Sequence, residues 1–135
     1  MSGAREKGIK YNIESPDIVD AGVLDPIDYN YKGKRNIVIA IEQTEFTSVC
    51  PMTGLPDFGS ITIRYRPSAK IVELKSLKFY LLQYRNVGIF YEHVINHILD
   101  DLVLVLEPVW MEIVGKFSTR GGITSTVTAA HEGNK

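Results

Sequence analysis

Apolar and polar positions along the chain change period twice. From Arg35, the run NIVIAIEQTEFTS alternates Ile37, Ile39 and Ile41 against their neighbours, which predicts a strand. GSITIRYRPSAKIVEL repeats the alternation through Ile61, Ile63 and Tyr65, breaks at Pro67 and resumes at Ile71, which predicts a hairpin or a bent strand. The spacing then lengthens. In SLKFYLLQYRN, Leu77, Tyr80, Leu81 and Tyr84 form one apolar helical face, and the following RNVG ends that helix with Gly88 as its C-terminal cap. IFYEHVINHILDDLVLVLE places Phe90, Val94, Ile95, Ile98, Leu99 and Leu102 at i, i+3, i+4 spacing, a second amphipathic helix. Beyond Pro108, VWMEIVGKFST and GGITSTVTAA read as two further strands turning at Arg120–Gly121–Gly122.

The order ββααββ predicts an α+β domain, an antiparallel four-stranded sheet with both helices on one face. Such a sheet leaves its edges open, and joining edges between subunits is one way to close them, so an oligomer is expected. Residues 1–34 are polar, carry Pro16 and Pro26, and show little periodicity; they read as an arm that packs only in part against a domain of residues 35–135.

Composition narrows this only a little. At 135 residues, 44% hydrophobic and 23% charged, the chain can bury a core of its own. A net charge of −1 gives no electrostatic footprint for nucleic acid or an anionic membrane. No apolar leader opens the sequence and DDLVLVLEPVWMEIVG is interrupted by charges and Pro108, so neither a signal peptide nor a membrane span is expected. A single cysteine rules out an internal disulfide and fits a reducing cytoplasm.

That cysteine is the first candidate for chemistry. In SVCPMTGLPDFGSI, Cys50 ends a strand, Pro51 and Gly54 fix a tight turn, and Asp57 follows in PDFG. A thiolate with a lowered pKa attacks electrophilic carbon, and a carboxyl across the turn can supply a proton. A lone cysteine is more often a space-filling residue, and spacing alone leaves both readings open. His93 and His97 have the i, i+4 spacing of a metal pair but no evident third ligand, and read better as a solvated face with Asn96, Asp100 and Asp101. Glu92, flanked by apolar residues, can accept two parallel hydrogen bonds from a flat heterocycle, or serve simply as a first-turn glutamate. Lys75, Ser76 and Lys78 in ELKSLKFY stand at a strand-to-helix junction whose N–H groups suit phosphate, and Lys116 and Arg120 with Gly121 and Gly122 form a second basic, glycine-containing element. Taken singly, these are ordinary surface charges. No P-loop or Rossmann motif is present.

Together, EFTSVCPMTGLPDF, ELKSLKFY, FYEHVINHILDDL and GKFSTRGGI, four blocks in order from about Glu45 to Ile123, resemble the 7-cyano-7-deazaguanine reductase family, the QueF nitrile reductases of queuosine biosynthesis. The resemblance implies the tunnelling fold, two stacked pentamers with active sites between subunits, NADPH as cofactor, and a cytoplasmic enzyme with no direct nucleic-acid partner and no metal. It implies Cys50 as the nucleophile that forms a thioimide and Asp57 as the proton donor. It assigns Glu92 and Tyr91, with Val72, Glu73 and Leu74, to the deazaguanine, and Lys75, Ser76, Lys78, Arg120 and Gly121 to NADPH. The chain departs from the family pattern at Tyr91, where His is usual, at Leu55 in place of Gln, and at Leu74 in place of Ser. Three other readings fit the same scaffold: an archaeosine-type amidinotransferase acting on the nitrile within tRNA without NADPH, a zinc-dependent cyclohydrolase of the same fold, and a non-catalytic purine-binding module.

Overall fold

A computed structural model of the protein describes residues 13–133. Four long strands form the sheet: β2 (Ile39–Val49), β3 (Pro56–Arg66), β5 (Trp110–Arg120) and β6 (Ile123–Glu132), in the order β2-β3-β5-β6 and antiparallel throughout. Between β3 and β5 come α1 (Leu74–Leu82), a 3₁₀ turn (Gln83–Asn86) and α2 (Tyr91–Leu106). The predicted ββααββ order therefore holds for the main sheet.

One predicted strand goes elsewhere. The stretch resuming at Ile71 forms a short strand, β4 (Lys70–Val72), which leaves the main sheet and pairs with β1 (Pro26–Asp28) from the expected arm. Pro67 cannot continue a ladder, and the chain turns there. The Val72 N–H donates to the Tyr65 hydroxyl at 3.1 Å, tying the small sheet to the large one. Of the arm, residues 1–12 lie outside the described residues. The rest is fastened along its length: Glu14 bridges Val87, Leu24 enters the core, the Asp25 N–H donates to the Ser76 hydroxyl, and β1 pairs β4.

The core follows from the two periods. Ile61, Ile63, Tyr65, Met111 and Ile113 line one face of the sheet, and Ile95, Ile98, Leu102 and Leu106 fill it from α2; none is more than 1% exposed. Each such side chain removed from water contributes about 1.5–3 kcal/mol. The helices are joined by polar groups as well. The Tyr80 hydroxyl donates to Asp101 Oδ2 at 2.5 Å and meets the Tyr84 hydroxyl at 2.8 Å, and the latter lies 2.6 Å from His97 Nδ1. Burial raises the pKa of both tyrosines and keeps them protonated. His97 and Asp101, expected on a solvated face, instead serve this network, because α1 packs against that side of α2.

Gly88 corrects a second expectation. Its φ is not positive, so it does not cap α1. It lies in an extended segment whose neighbour Val87 accepts from the Val49 N–H at 3.0 Å, while the Gly88 N–H donates to Glu14 at 2.9 Å. This segment covers the edge of β2 next to Cys50, and glycine is required because a Cβ there would meet Ile13 and Pro51. The β5–β6 turn does form as expected, with φ of 55° at Gly121 and 82° at Gly122, which is the two-residue hairpin geometry that glycine favours.

Candidate active site

Two irregularities in the sheet decide which side chains reach the site. Along β2, Ile39, Ile41 and Gln43 stand opposite Tyr65, Ile63 and Ile61 on the helix side. Between Gln43 and Phe46 the strand advances three residues while β3 advances two, so one extra residue inverts the alternation. Phe46 and Ser48 then face the helices opposite Gly59 and Asp57, and Cys50 follows at the strand end. The same device recurs in β5. From Phe117 to Arg120 it advances three residues against two on β6 (Ser125 to Ile123), which brings Arg120 to the side of Phe117. Without these bulges Cys50 and Arg120 would both face the other side of the sheet, away from Asp57.

Cys50 is held by a closed loop. Its N–H donates to Leu55 at 2.9 Å and its carbonyl accepts from Gly54 at 2.7 Å, with Gly54 at a φ of 73°. Burial pushes the half-buried thiol up, but the Thr53 hydroxyl and the backbone N–H groups of Met52 and Thr53 outweigh it, and despite the opposing charge of Asp57 the net direction is down. The loop thus favours the reactive thiolate.

Asp57, 7% exposed, opens β3 on the far side of the same cleft. Tyr91 donates its hydroxyl to Asp57 Oδ1 at 3.0 Å, and the Arg120 guanidinium lies 3.0 Å from the same oxygen. Arg120 also donates to the Pro56 carbonyl. The Tyr91 ring is clamped flat on Phe117, with centroids 3.8 Å apart and planes 8° from parallel. Burial, then the hydrogen bond and charge of Asp57, push the Tyr91 phenol up, so it remains a donor through the neutral range.

These groups surround a cavity of about 440 Å³, with Cys50, Thr53 and Leu55 on one wall, Asp57 and Arg120 on another, and Phe90, Tyr91 and Glu92 at the start of α2 on a third. A volume of this order suits a small heterocycle. Glu92 is exposed at the rim, where its carboxylate can meet N–H donors.

The structure therefore gathers Cys50, Asp57, Tyr91, Glu92 and Arg120 into one cleft. Val72, Glu73, Leu74, Lys75, Ser76, Lys78 and Gly121 do not line it within this chain. Val72 is buried in β4. The Glu73 carboxylate caps α1, accepting from the Lys75 and Ser76 N–H groups at 2.6 and 2.9 Å, so these N–H groups, expected to suit a phosphate, already have a partner. The Ser76 hydroxyl donates to the Glu73 carbonyl and accepts from the Asp25 N–H. Leu74, Lys75 and Lys78 are exposed, as is Gly121. Lys116, grouped with Arg120 on sequence, lines a separate groove with Ser60 and Ser118. Sequence reasoning missed Thr53 as the group that tunes Cys50, and Phe117 as the clamp on Tyr91. A threonine just after a turn-opening residue is a local signal for the first.

The sheet and its helical layer define a tunnelling-fold protein, with a thiol and a carboxyl on two walls of one cleft. A solved structure of the archaeosine synthase QueF-Like in its apo form shares that fold, with a TM-score of 0.63 at 20% identity over 74% of this chain and 96% of that one. The family model described as QueF-like protein matches residues 56–135. Curated relatives named NADPH-dependent 7-cyano-7-deazaguanine reductase include one from Caldicellulosiruptor bescii, 53% identical over 91% of this chain and 93% of its own length. Another, from Thermoanaerobacter pseudethanolicus, is 57% identical over 87% of each. The chain belongs to the QueF family of 7-cyano-7-deazaguanine reductases.

Proposed function

We propose that the protein reduces the nitrile of 7-cyano-7-deazaguanine to the 7-aminomethyl product at the expense of two NADPH, through a covalent thioimide on Cys50. The observation that carries this is the placement of a pKa-lowered thiol and a carboxyl on two walls of one cleft, in a chain 53–57% identical to proteins bearing that name. The sulfur of Cys50 adds to the nitrile carbon, and Asp57 delivers a proton to the nitrogen as charge develops there. NADPH, when bound, supplies hydride, once to the thioimide carbon and once to the imine left when the C–S bond breaks. Tyr91 and Arg120 hold Asp57 in place, and Glu92 receives the N–H edge of the base. Tyr91 thereby takes up a position usual for His and uses it to orient the acid.

The segment Val72–Lys78 belongs in this scheme as the contribution of a neighbouring subunit. Its exposed Leu74, Lys75 and Lys78 do not line the chain's own cleft, and the open sheet edges suit assembly into two stacked pentamers. There Val72, Glu73 and Leu74 would border the base, while the exposed Lys75 and Lys78, with Gly121, would face the phosphates of NADPH; Ser76 and Arg120, expected with them, are engaged within the chain instead. The exposed lysines fit that group as cations, and the capped helix start leaves the role to side chains. Of the expected arm of residues 1–34, residues 13–34 run along the domain of residues 35–135 as a strap fastened to it. Among the described residues no helix is long and apolar enough to cross a membrane.

Amidination of the same nitrile is the less favoured reading, since identity to the archaeosine synthase is 20%. The test is intact-protein mass spectrometry after incubation with 7-cyano-7-deazaguanine without NADPH, beside Cys50→Ala. An adduct of the substrate's mass, lost in the variant and discharged by NADPH with oxidation of the cofactor, is the expected result. No adduct and no NADPH oxidation would refute the assignment.

A further inference from the structure

Ser48 is 0% exposed, and its Oγ has no hydrogen-bond partner among the described residues. A buried hydroxyl left unpaired is uncommon in a folded protein and calls for an explanation. Its position gives the reason. In the β2–β3 register Ser48 stands directly opposite Asp57, so the two side chains share a face with Cβ atoms about 4.5–5.5 Å apart. It also lies two residues before Cys50. The bulge in β2 is what turns Ser48 inward; on the alternation set by Ile39 and Ile41 it would face the opposite side.

The contacts of Asp57 are one-sided. Tyr91 and Arg120 both reach Oδ1, and among the described residues no hydrogen bond reaches Oδ2. With both partners on Oδ1, Oδ2 is the oxygen left free to deliver a proton. We propose that Ser48 is a positioning residue for the reaction, its hydroxyl turning to Asp57 Oδ2 to aim the carboxyl at the nitrile nitrogen. Before transfer the Oδ2–H points at the nitrile nitrogen and the Ser48 oxygen stands beside Oδ2. As sulfur bonds to carbon, the Oδ2–H proton passes to nitrogen, and the Ser48 O–H then donates to the carboxylate oxygen left behind. Nothing else in the step changes, and no further reactant is needed. A hydroxyl beneath a nearly buried carboxylate acts in a low-dielectric setting, where a fixed donor counts for most.

This inference rests on the nitrile-reductase reading, and its test separates the two. The variant is Ser48→Ala, compared with wild type in three measurements: thermal melting, alkylation of Cys50 by iodoacetamide, and the rate of adduct formation with 7-cyano-7-deazaguanine followed by intact mass. Alkylation needs the thiolate alone, whereas adduct formation also needs the proton. The expected result is a melting temperature at or above wild type, unchanged alkylation, and adduct formation slowed on the order of tenfold to a hundredfold. Ser48→Thr, which returns the hydroxyl, recovers part of the lost rate. Adduct formation at the wild-type rate overturns the proposal, and so does an equal loss in both reactions, which would mark a displaced loop. If Ser48→Ala does not fold, Ser48→Gly is read by the same pair of rates. An absence of adduct in the wild type would overturn the nitrile reading, and the role of Ser48 with it.

Discussion

Gly88→Ala tests whether the Cys50 loop is braced from behind as the structure shows. A Cβ at residue 88 would lie 2.5 Å from Ile13 Cγ2 and 3.2 Å from Pro51 Cα. The first contact is with a side-chain methyl that can swing aside. The second is with backbone bonded directly to Cys50, and it must yield by a few tenths of an ångström. Overpacking of this kind costs about 1–3 kcal/mol. For a chain of this length that corresponds to a drop in melting temperature of about 4–10 °C. A shift of the sulfur well under 1 Å should also slow adduct formation roughly fivefold to tenfold, given that a misplacement of 1 Å can cost about a hundredfold. Circular dichroism melting and the single-turnover adduct assay read the two effects. The double variant Ile13→Ala/Gly88→Ala should recover part of the stability, because the tighter clash is gone, and less of the rate, because the Pro51 contact remains. A Gly88→Ala protein that melts within a degree of wild type and forms adduct at the same rate would refute the brace.

Two more predictions follow from the same geometry. Thr53→Val removes the hydroxyl that lowers the Cys50 pKa, so the thiol pKa rises and a smaller fraction is thiolate at neutral pH. Iodoacetamide alkylation should slow severalfold at pH 7 and converge on the wild-type rate well above the ordinary thiol range; identical profiles across pH would remove Thr53 from the account. Tyr84→Phe deletes the link between Tyr80 and His97 and leaves buried polar groups short of a partner, at a cost of about 1–3 kcal/mol. Melting should fall while adduct formation by the folded protein stays unchanged, because Tyr84 does not line the cleft; a lost rate at unchanged melting would contradict the separation of the two regions.

What the sequence disclosed divides along a physical line. Period-2 and period-3.6 alternation marked the four long strands and both helices, because burial of one face imposes those periods wherever the ladder is regular. The turn after Cys50 was legible too, since Pro51 and Gly54 are local requirements of its backbone. The errors lie where non-local pairing decides. Ile71 carried a strand signal, but only the partner at Ile27 tells which sheet receives it. Gly88 had the composition of a helix cap, yet its constraint comes from Ile13 and Pro51, remote in sequence. His97 and Asp101 looked solvated because the tyrosines that cover them sit on another helix.

The bulges carry the main functional lesson. Extending the alternation of Ile37, Ile39 and Ile41 through Phe46 and Ser48 puts both residues outward and takes Cys50 with them, away from Asp57. One inserted residue near Thr44 reverses this, and one near Ser118 does the same for Arg120. A clue stood in the sequence: Phe46 is a large apolar residue on the polar phase of its strand, and a strand that buries it must slip. A regular sheet would leave Phe46 outside and scatter Cys50, Asp57 and Arg120 over two faces. The site therefore exists because the ladder is interrupted twice, at the cost of local hydrogen bonds, on either side of the strand that carries Asp57.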